Sequence, residues 1–338
     1  MNKYSGIDLH SNNCVVVVMD ENDQVCCERR VANDTAQVIA LLEPFRADLK
    51  GVVVESTYNW YWLVDALVNA GFDVKLANTA AITQYDGLKY SGDEHDARHL
   101  AHLLRLGLLR FGYIFPPELR AVRDLARKRL QLVRTRTLHV LALETMVARQ
   151  TGGHLGGDAA KRLRVEDLAR WGWPEDVGLA AQANVETIAA MERIIATLER
   201  RLHERVRLAP EYAVLKSVPG IGEILSTVIM LEIGPIERFT SAGNFASYAR
   251  CVGSQRVSNN RKKGEGNRKN GNAYLAWAFV EAAHFALRYC DPAKRFYERK
   301  KARTNAAVAT KALAHKLARA CYHMLKEHTT FDATRCFA

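Results

Sequence analysis

Three strand-length segments separated by two tight-turn signals fill the first 31 residues, and this order limits the fold more than any other feature. Lys3–Leu9 and Cys14–Met19 are strand-like and are separated by Asn12-Asn13. Glu21-Asn22-Asp23 is a second turn signal, and Gln24–Val31 is a third strand. Strands joined this closely have to form an antiparallel meander. Asp34 then reads as the cap of a helix reaching about Glu43. Gly51–Glu55 is an apolar strand that ends in a carboxylate. A helix from about Asn59 to Ala70 is closed by Gly71, Asp73–Ala77 is a further strand, and Asp93–Leu109 reads as a helix.

A meander, a helix, then alternating strand and helix is the order of an α/β domain of ribonuclease-H-like type. Pro116-Pro117 marks its end. From Glu118 to Gln150 there is neither Pro nor Gly, and Leu125, Leu132, Leu138 and Leu141 recur at helical spacing. This predicts a long helix with a basic face made by Arg120, Arg123, Arg127, Lys128, Arg129, Arg134 and Arg136. After a flexible break at Thr151–Asp158, a second long helix from about Ala180 to Leu208 completes a helical hairpin or coiled coil. Pro210 opens a helical domain with helices at Glu211–Lys216, Ile221–Glu232, Ala242–Cys251, Asn272–Arg288 and Ala306–Lys326. The expected division is therefore 1–115, 116–209, 210–326 and a tail at 327–338.

Charge separates these parts. Residues 1–115 hold 10 Lys/Arg against 15 Asp/Glu, a net of −5, whereas residues 116–338 hold 38 against 22, a net of +16. Such a basic back half suits a polyanion such as DNA or RNA and argues against a small-metabolite enzyme. No run approaches the ~20 apolar residues of a membrane span. Seven cysteines without a Cys-x-x-Cys spacing argue against a disulfide framework or a zinc site and predict a reducing, cytoplasmic setting.

Four carboxylates carry the first chemical signal. Asp8 lies within the opening strand, Glu55 ends the strand Val52-Val53-Val54, and Asp93 and Asp96 share one face of a helix start. A charge in a buried strand is costly unless paired or metal-bound. Clustered carboxylates with all-oxygen ligation suit Mg²⁺ or Mn²⁺, and two such ions favour phosphoryl transfer.

Two further strings suit phosphate contacts. Ser217-Val-Pro-Gly-Ile-Gly-Glu has the form of a helix-hairpin-helix turn, in which Gly220 and Gly222 permit close approach of a nucleic-acid backbone. The polar stretch Gly253–Gly271 reads as a flexible basic loop carrying Arg256, Arg261, Lys262, Lys263, Arg268 and Lys269. A serine there could attack a phosphodiester while the cations stabilise developing charge. On the residues alone Ser258 does not stand out from Ser254 or Ser247.

These strings resemble the DEDD-type insertion-sequence transposases, which include the Piv-type invertases and RNA-guided (bridge-RNA) recombinases. The matching N-terminal strings are Gly-Ile-Asp-Leu-His (6–10), Val-Val-Val-Glu-Ser-Thr (52–57) and Lys-x3-Asp-x2-Asp-Ala-Arg (89–98). The C-terminal ones are Val-Pro-Gly-Ile-Gly (218–222), Arg-Phe-Thr-Ser-Ala-Gly-Asn-Phe-Ala-Ser-Tyr (238–248) and Lys-Asn-Gly-Asn-Ala-Tyr-Leu (269–275). The family usually has one residue between the Lys and the first Asp, where this chain has three after Lys89, and it has Gly-Gly where this chain has Asn259-Asn260. The resemblance implies a RuvC-like domain with its tetrad on Asp8, Glu55, Asp93 and Asp96, and a nucleophile on Ser258. It also implies strand exchange through a covalent phosphoserine, donor and target DNA and a guide RNA as partners, and a homo-oligomer (dimer or tetramer) whose subunits share the site. Two other readings stay open from the residues: a metal-dependent junction nuclease using water, and an inactive nucleic-acid-binding repressor.

Overall fold

The computed structural model describes residues 1–78, 82, 92–253, 255–265 and 270–337. The chain divides into two compact units, one built on Met1–Pro117 and the other on Glu118–Glu265 and Gly271–Ala338. The expected division at residue 209 falls inside the second unit.

The first unit is a mixed α/β domain. Its elements are β1 (Lys3–Leu9), β2 (Asn13–Asp20), β3 (Val25–Ala32), α1 (Thr35–Leu42), β4 (Leu49–Glu55), α2 (Tyr61–Asn69), β5 (Val74–Ala77), α3 (Asp93–Arg105) and β6 (Phe111–Gly112). They build a six-stranded sheet of order β3-β2-β1-β4-β5-β6. The meander β1-β2-β3 is antiparallel, whereas β4 joins β1 and β5 joins β4 in parallel. The short strand β6, which pairs antiparallel with β5, occupies residues absent from the sequence-based reading.

Strand alternation sorts the side chains onto two faces. Ile7, Cys14, Val16, Val18, Val52 and Val54 pack with α1 and α2. Val15, Val17 and Met19 pack with Ala97 and Ala101 of α3 on the opposite face. Gly6 lies on that second face, where a Cβ would stand 2.1 Å from the Ala97 carbonyl oxygen and 2.7 Å from the Ala101 nitrogen. Only a glycine lets the helix lie this close to β1. The capping expectation holds as well: Asp34 accepts a hydrogen bond from the Gln37 backbone N–H.

In the second unit, α4 (Pro117–Thr151) is followed by the short α5 (Gly157–Arg162) and α6 (Val165–Leu168) and by α7 (Glu175–Val206). The long helices α4 and α7 run antiparallel, with Val122 and Ala126 packing near Leu202 and Val206, and Val140 and Leu143 near Ala181, Val185 and Ile188. Part of the expected basic face of α4 is taken up within the unit. Arg129 pairs with Glu199, Arg136 pairs with Glu192, and Arg120 and Arg123 are buried. Leu138 and Leu141, two of the leucines at helical spacing, are 67% and 51% exposed.

The remaining elements are α8 (Pro210–Lys216), α9 (Glu223–Ile233), α10 (Ala242–Tyr248), β7 (Gln255–Ser258), β8 (Arg261–Glu265), α11 (Ala273–Tyr289), α12 (Asp291–Arg303), α13 (Ala306–Glu327) and α14 (Ala333–Phe337). Phe245, Phe279, Leu313 and Leu317 lie in one large core. A buried network joins the long hairpin to this core. The Arg127 guanidinium donates two hydrogen bonds to Glu232, at 2.6 and 2.7 Å, and Asn272 donates a third at 2.6 Å. Three donated bonds offset the desolvation of a carboxylate that is 2% exposed. The residues beyond 326 are not a loose tail: Phe331 and Phe337 pack on the core, and Phe331 N–H donates to Ser217 Oγ.

Candidate active site

Sheet register assembles the carboxylates. Gly6 pairs with Val53 and Ile7 with Val54 in the parallel ladder, so Asp8 and Glu55 are neighbours at the carboxyl ends of β1 and β4. On the other side Asp8 pairs with Val15, which pairs with Arg30 of β3. Close packing of α3 over Gly6 brings its first turn, with Asp93 and Asp96, to this row. Carboxyl ends of parallel strands are where open α/β sheets gather ligands.

The charges respond to one another. Asp8 is 3% exposed, and its side chain hydrogen-bonds that of Glu55. Burial, the Asp8 hydrogen bond and the charges of Asp8 and Asp96 push Glu55 up to about 8. Asp8 is also raised, first by burial and then by Asp96 and Asp93, although the Glu55 bond and His10 pull it back. Burial thus pushes both carboxyl groups toward their protonated forms. Asp93 is held below the ordinary carboxylate range, mainly by its hydrogen bond from Arg30 at 2.7 Å.

His10 had no assigned role in the sequence, yet it stands inside this group. Its Nε2 lies 3.1 Å from Asp8 Oδ2 and 3.2 Å from Asp93 Oδ2. That nitrogen is buried and is not aligned for a hydrogen bond with either oxygen. One ligand atom from each of Asp8, His10 and Asp93 falls within 4.8 Å of the others, close enough to hold one metal ion. The signal was Asp8-x-His10, a two-residue spacing that puts both side chains on one strand face. A carboxylate pair raised by burial beside an unaligned buried imidazole nitrogen fits a divalent cation.

The basic stretch is more ordered than expected. Instead of a flexible loop, Gln255–Glu265 form the β7-β8 hairpin. Ser258 pairs with Arg261 across a two-residue turn in which Asn259 and Asn260 have φ of 51° and 56°. Both are left-handed, as a type I′ turn requires, and asparagine tolerates that region. Ser258, Arg261 and Lys263 are exposed near the tip, and Arg256 and Lys262 lie within the strands. Lys89, Ser254, Arg268 and Lys269 lie outside the described residues.

The two glycines of the Pro-Gly-Ile-Gly turn differ. A Cβ on Gly220, whose φ is +96°, would stand 2.6 Å from backbone atoms of Ala282 and Ala286, so packing against α11 accounts for this glycine. Gly222 caps α9 with open space around its Cα and remains available to a phosphate.

Parts of the chain are similar to known proteins. Residues 5–149 match a transposase model of the DEDD, IS110 type, and residues 212–298 match the model of the transposase IS116/IS110/IS902 family. An insertion element IS116 protein of 44.8 kDa from Streptomyces clavuligerus is 24% identical over 350 residues, covering 88% of this chain and 87% of its own length. The transposase for insertion sequence element IS1111A of Coxiella burnetii is 23% identical over 296 residues, covering 85% of this chain and 78% of its own. An insertion element IS110 protein of 43.6 kDa from Streptomyces coelicolor is 28% identical over 149 residues, which are 44% of this chain and 36% of its own length. Among the described residues no helix is long and apolar enough to cross a membrane.

Proposed function

We propose that this IS110/IS116-family transposase is an RNA-guided DNA recombinase that exchanges strands through a covalent phosphoserine on Ser258. The observation that carries the reading is the Asp8–Glu55 pair at adjacent strand ends, both raised first by burial and further by neighbouring carboxylates, Asp96 for both and Asp93 for Asp8. The strand order, with β4 parallel to β1, supports a ribonuclease-H-like, RuvC-like domain. Asp8, Glu55, Asp93 and Asp96 would hold Mg²⁺ or Mn²⁺, with His10 directed at the same point. The ion, when bound, polarises the scissile phosphate and stabilises charge on its oxygens. To hold an ion, Glu55 would have to be ionised, because a ligand carboxyl gives up its proton.

Ser258 Oγ attacks the phosphorus as its own proton leaves for the departing strand oxygen. One P–O ester bond forms and one breaks, so the phosphodiester energy is kept for rejoining. Arg261 and Lys263 beside the serine would hold the backbone. Donor and target DNA are the substrates, guide RNA supplies sequence choice, and copies of the chain assemble around them. The test mixes protein, flanking RNA, labelled donor and target DNA, and Mg²⁺. A denaturation-resistant labelled adduct, lost in Ser258→Ala and in Asp8→Asn, is expected. Clean hydrolysis without an adduct, unchanged in Ser258→Ala, would replace this reading with a junction nuclease using water.

A further inference from the structure

The residues beyond 298 belong to neither matched segment, yet they wall a cavity of about 780 Å³ between α12, α13 and the C-terminal segment. That volume is within the range of ligand clefts, about 300–1,000 Å³. Phe296 and Phe331 give it an aromatic lining, Lys300, Arg319 and Arg335 give it cationic groups, and His315 adds an imidazole. Arg335 is engaged by Glu327, and Lys316, also in the lining, donates to the Cys336 carbonyl oxygen and stands over the Phe296 and Phe337 rings. The lining carboxylate Asp332 is occupied as a cap, accepting from the Thr334 and Arg335 backbone N–H groups. Lys300 and Arg319 are exposed, and among the described residues neither head group has an ion pair or hydrogen bond. Burial and the Arg319 charge hold His315 toward its neutral form, leaving a polar, uncharged ring between the cations.

Aromatic faces beside unengaged cations match a ligand with one flat apolar part and one anionic part. A nucleotide unit has both, because its base stacks on a ring and its phosphate pairs with Arg and Lys. We propose that this cavity is a binding site for one nucleotide of a single-stranded nucleic acid, with Arg319 and Lys300 on the phosphate and Phe296 or Phe331 under the base. The site is built from residues of the second unit alone and needs no metal. It would anchor a strand while chemistry proceeds elsewhere.

The test uses the full chain without divalent metal. Fluorescence anisotropy follows labelled single-stranded RNA and DNA 12-mers of one sequence. Lys300→Ala/Arg319→Ala should weaken binding at least tenfold at 0.1 M salt. It should also lower the slope of log affinity against log salt by about 0.7, for the one phosphate that the site neutralises. Loss with RNA alone, DNA alone or both supports the site and names the source of the strand. A 5-iodouridine cross-link should map to peptides within 291–337. Unchanged affinity and slope, cross-links confined to other peptides, or displacement by poly-glutamate as effective as by oligonucleotide would overturn it.

Discussion

The side chains of Asp8 and Glu55 meet at the carboxyl ends of two adjacent parallel strands, where burial raises both carboxyl groups above their ordinary range. Two buried acids side by side cannot both ionise cheaply.

A stability effect follows directly. The Glu55 pKa is raised from 4.5 to about 8 by folding. Folded protein therefore holds this proton more tightly than unfolded chain. The contribution is fully present below about pH 4.5 and is lost as pH rises toward 8. Glu55→Gln should stabilise the metal-free protein at pH 8 by about 1–3 kcal/mol, less than the full conversion of the shift because the site is partly solvated. The gain should vanish near pH 4.5. Chemical denaturation at both pH values measures it, and an equal gain at both would refute the raised Glu55 pKa.

Metal binding should depend on His10. An imidazole in a carboxylate site favours Mn²⁺ over the harder Mg²⁺. His10→Ala should raise the Mn²⁺ concentration needed for thermal stabilisation by about tenfold and move the Mg²⁺ requirement far less. Equal losses for both ions would leave His10 a bystander.

Gly6→Ala should displace α3. The added methyl would meet backbone atoms of Ala97 and Ala101, which cannot rotate away. A loss of about 1–3 kcal/mol or more is expected for the first unit, read by thermal unfolding. Divalent binding should weaken together with stability, because Asp93 and Asp96 ride on the same helix.

Arg127→Ala should cost about 3–5 kcal/mol by leaving Glu232 buried with the single donated bond from Asn272 in place of three. Arg127→Lys should recover only part of this, because an ammonium cannot make the two-pronged contact. Urea unfolding of the three proteins checks the order.

The Asn259-Asn260 turn can be tested without any activity. Alanine at both positions should cost about 1–2 kcal/mol per residue in the left-handed region, whereas glycine at both should be tolerated. Faster tryptic cleavage after Arg261 in the alanine variant alone is the expected readout. Equal cleavage in all three proteins would mean that the turn does not order Ser258.

Much of the first unit was legible from local signals. The meander, the apolar β4 and the helix carrying Asp93 and Asp96 follow from alternation, turn residues and caps, which act over a few positions. The carboxylate order Asp8, Glu55, Asp93, Asp96 was legible for the same reason, since each marks a strand end or a helix start. The hairpin at 255–265 was not, because two asparagines with positive φ replace the glycines that usually announce such a turn. The basic face of α4 was misread because the acids that neutralise Arg127, Arg129 and Arg136 lie 56 to 105 positions away in the chain.

The sequence by itself determined which residues are strands, helices and chemical groups. Tertiary structure alone decided which of those groups meet. Parallel register put Asp8 beside Glu55, and the missing Cβ of Gly6 let α3 descend onto the sheet. Burial then joined separate acids into one set beside His10. Such coupling depends on distances of a few ångströms between residues remote in the chain, which no local pattern encodes.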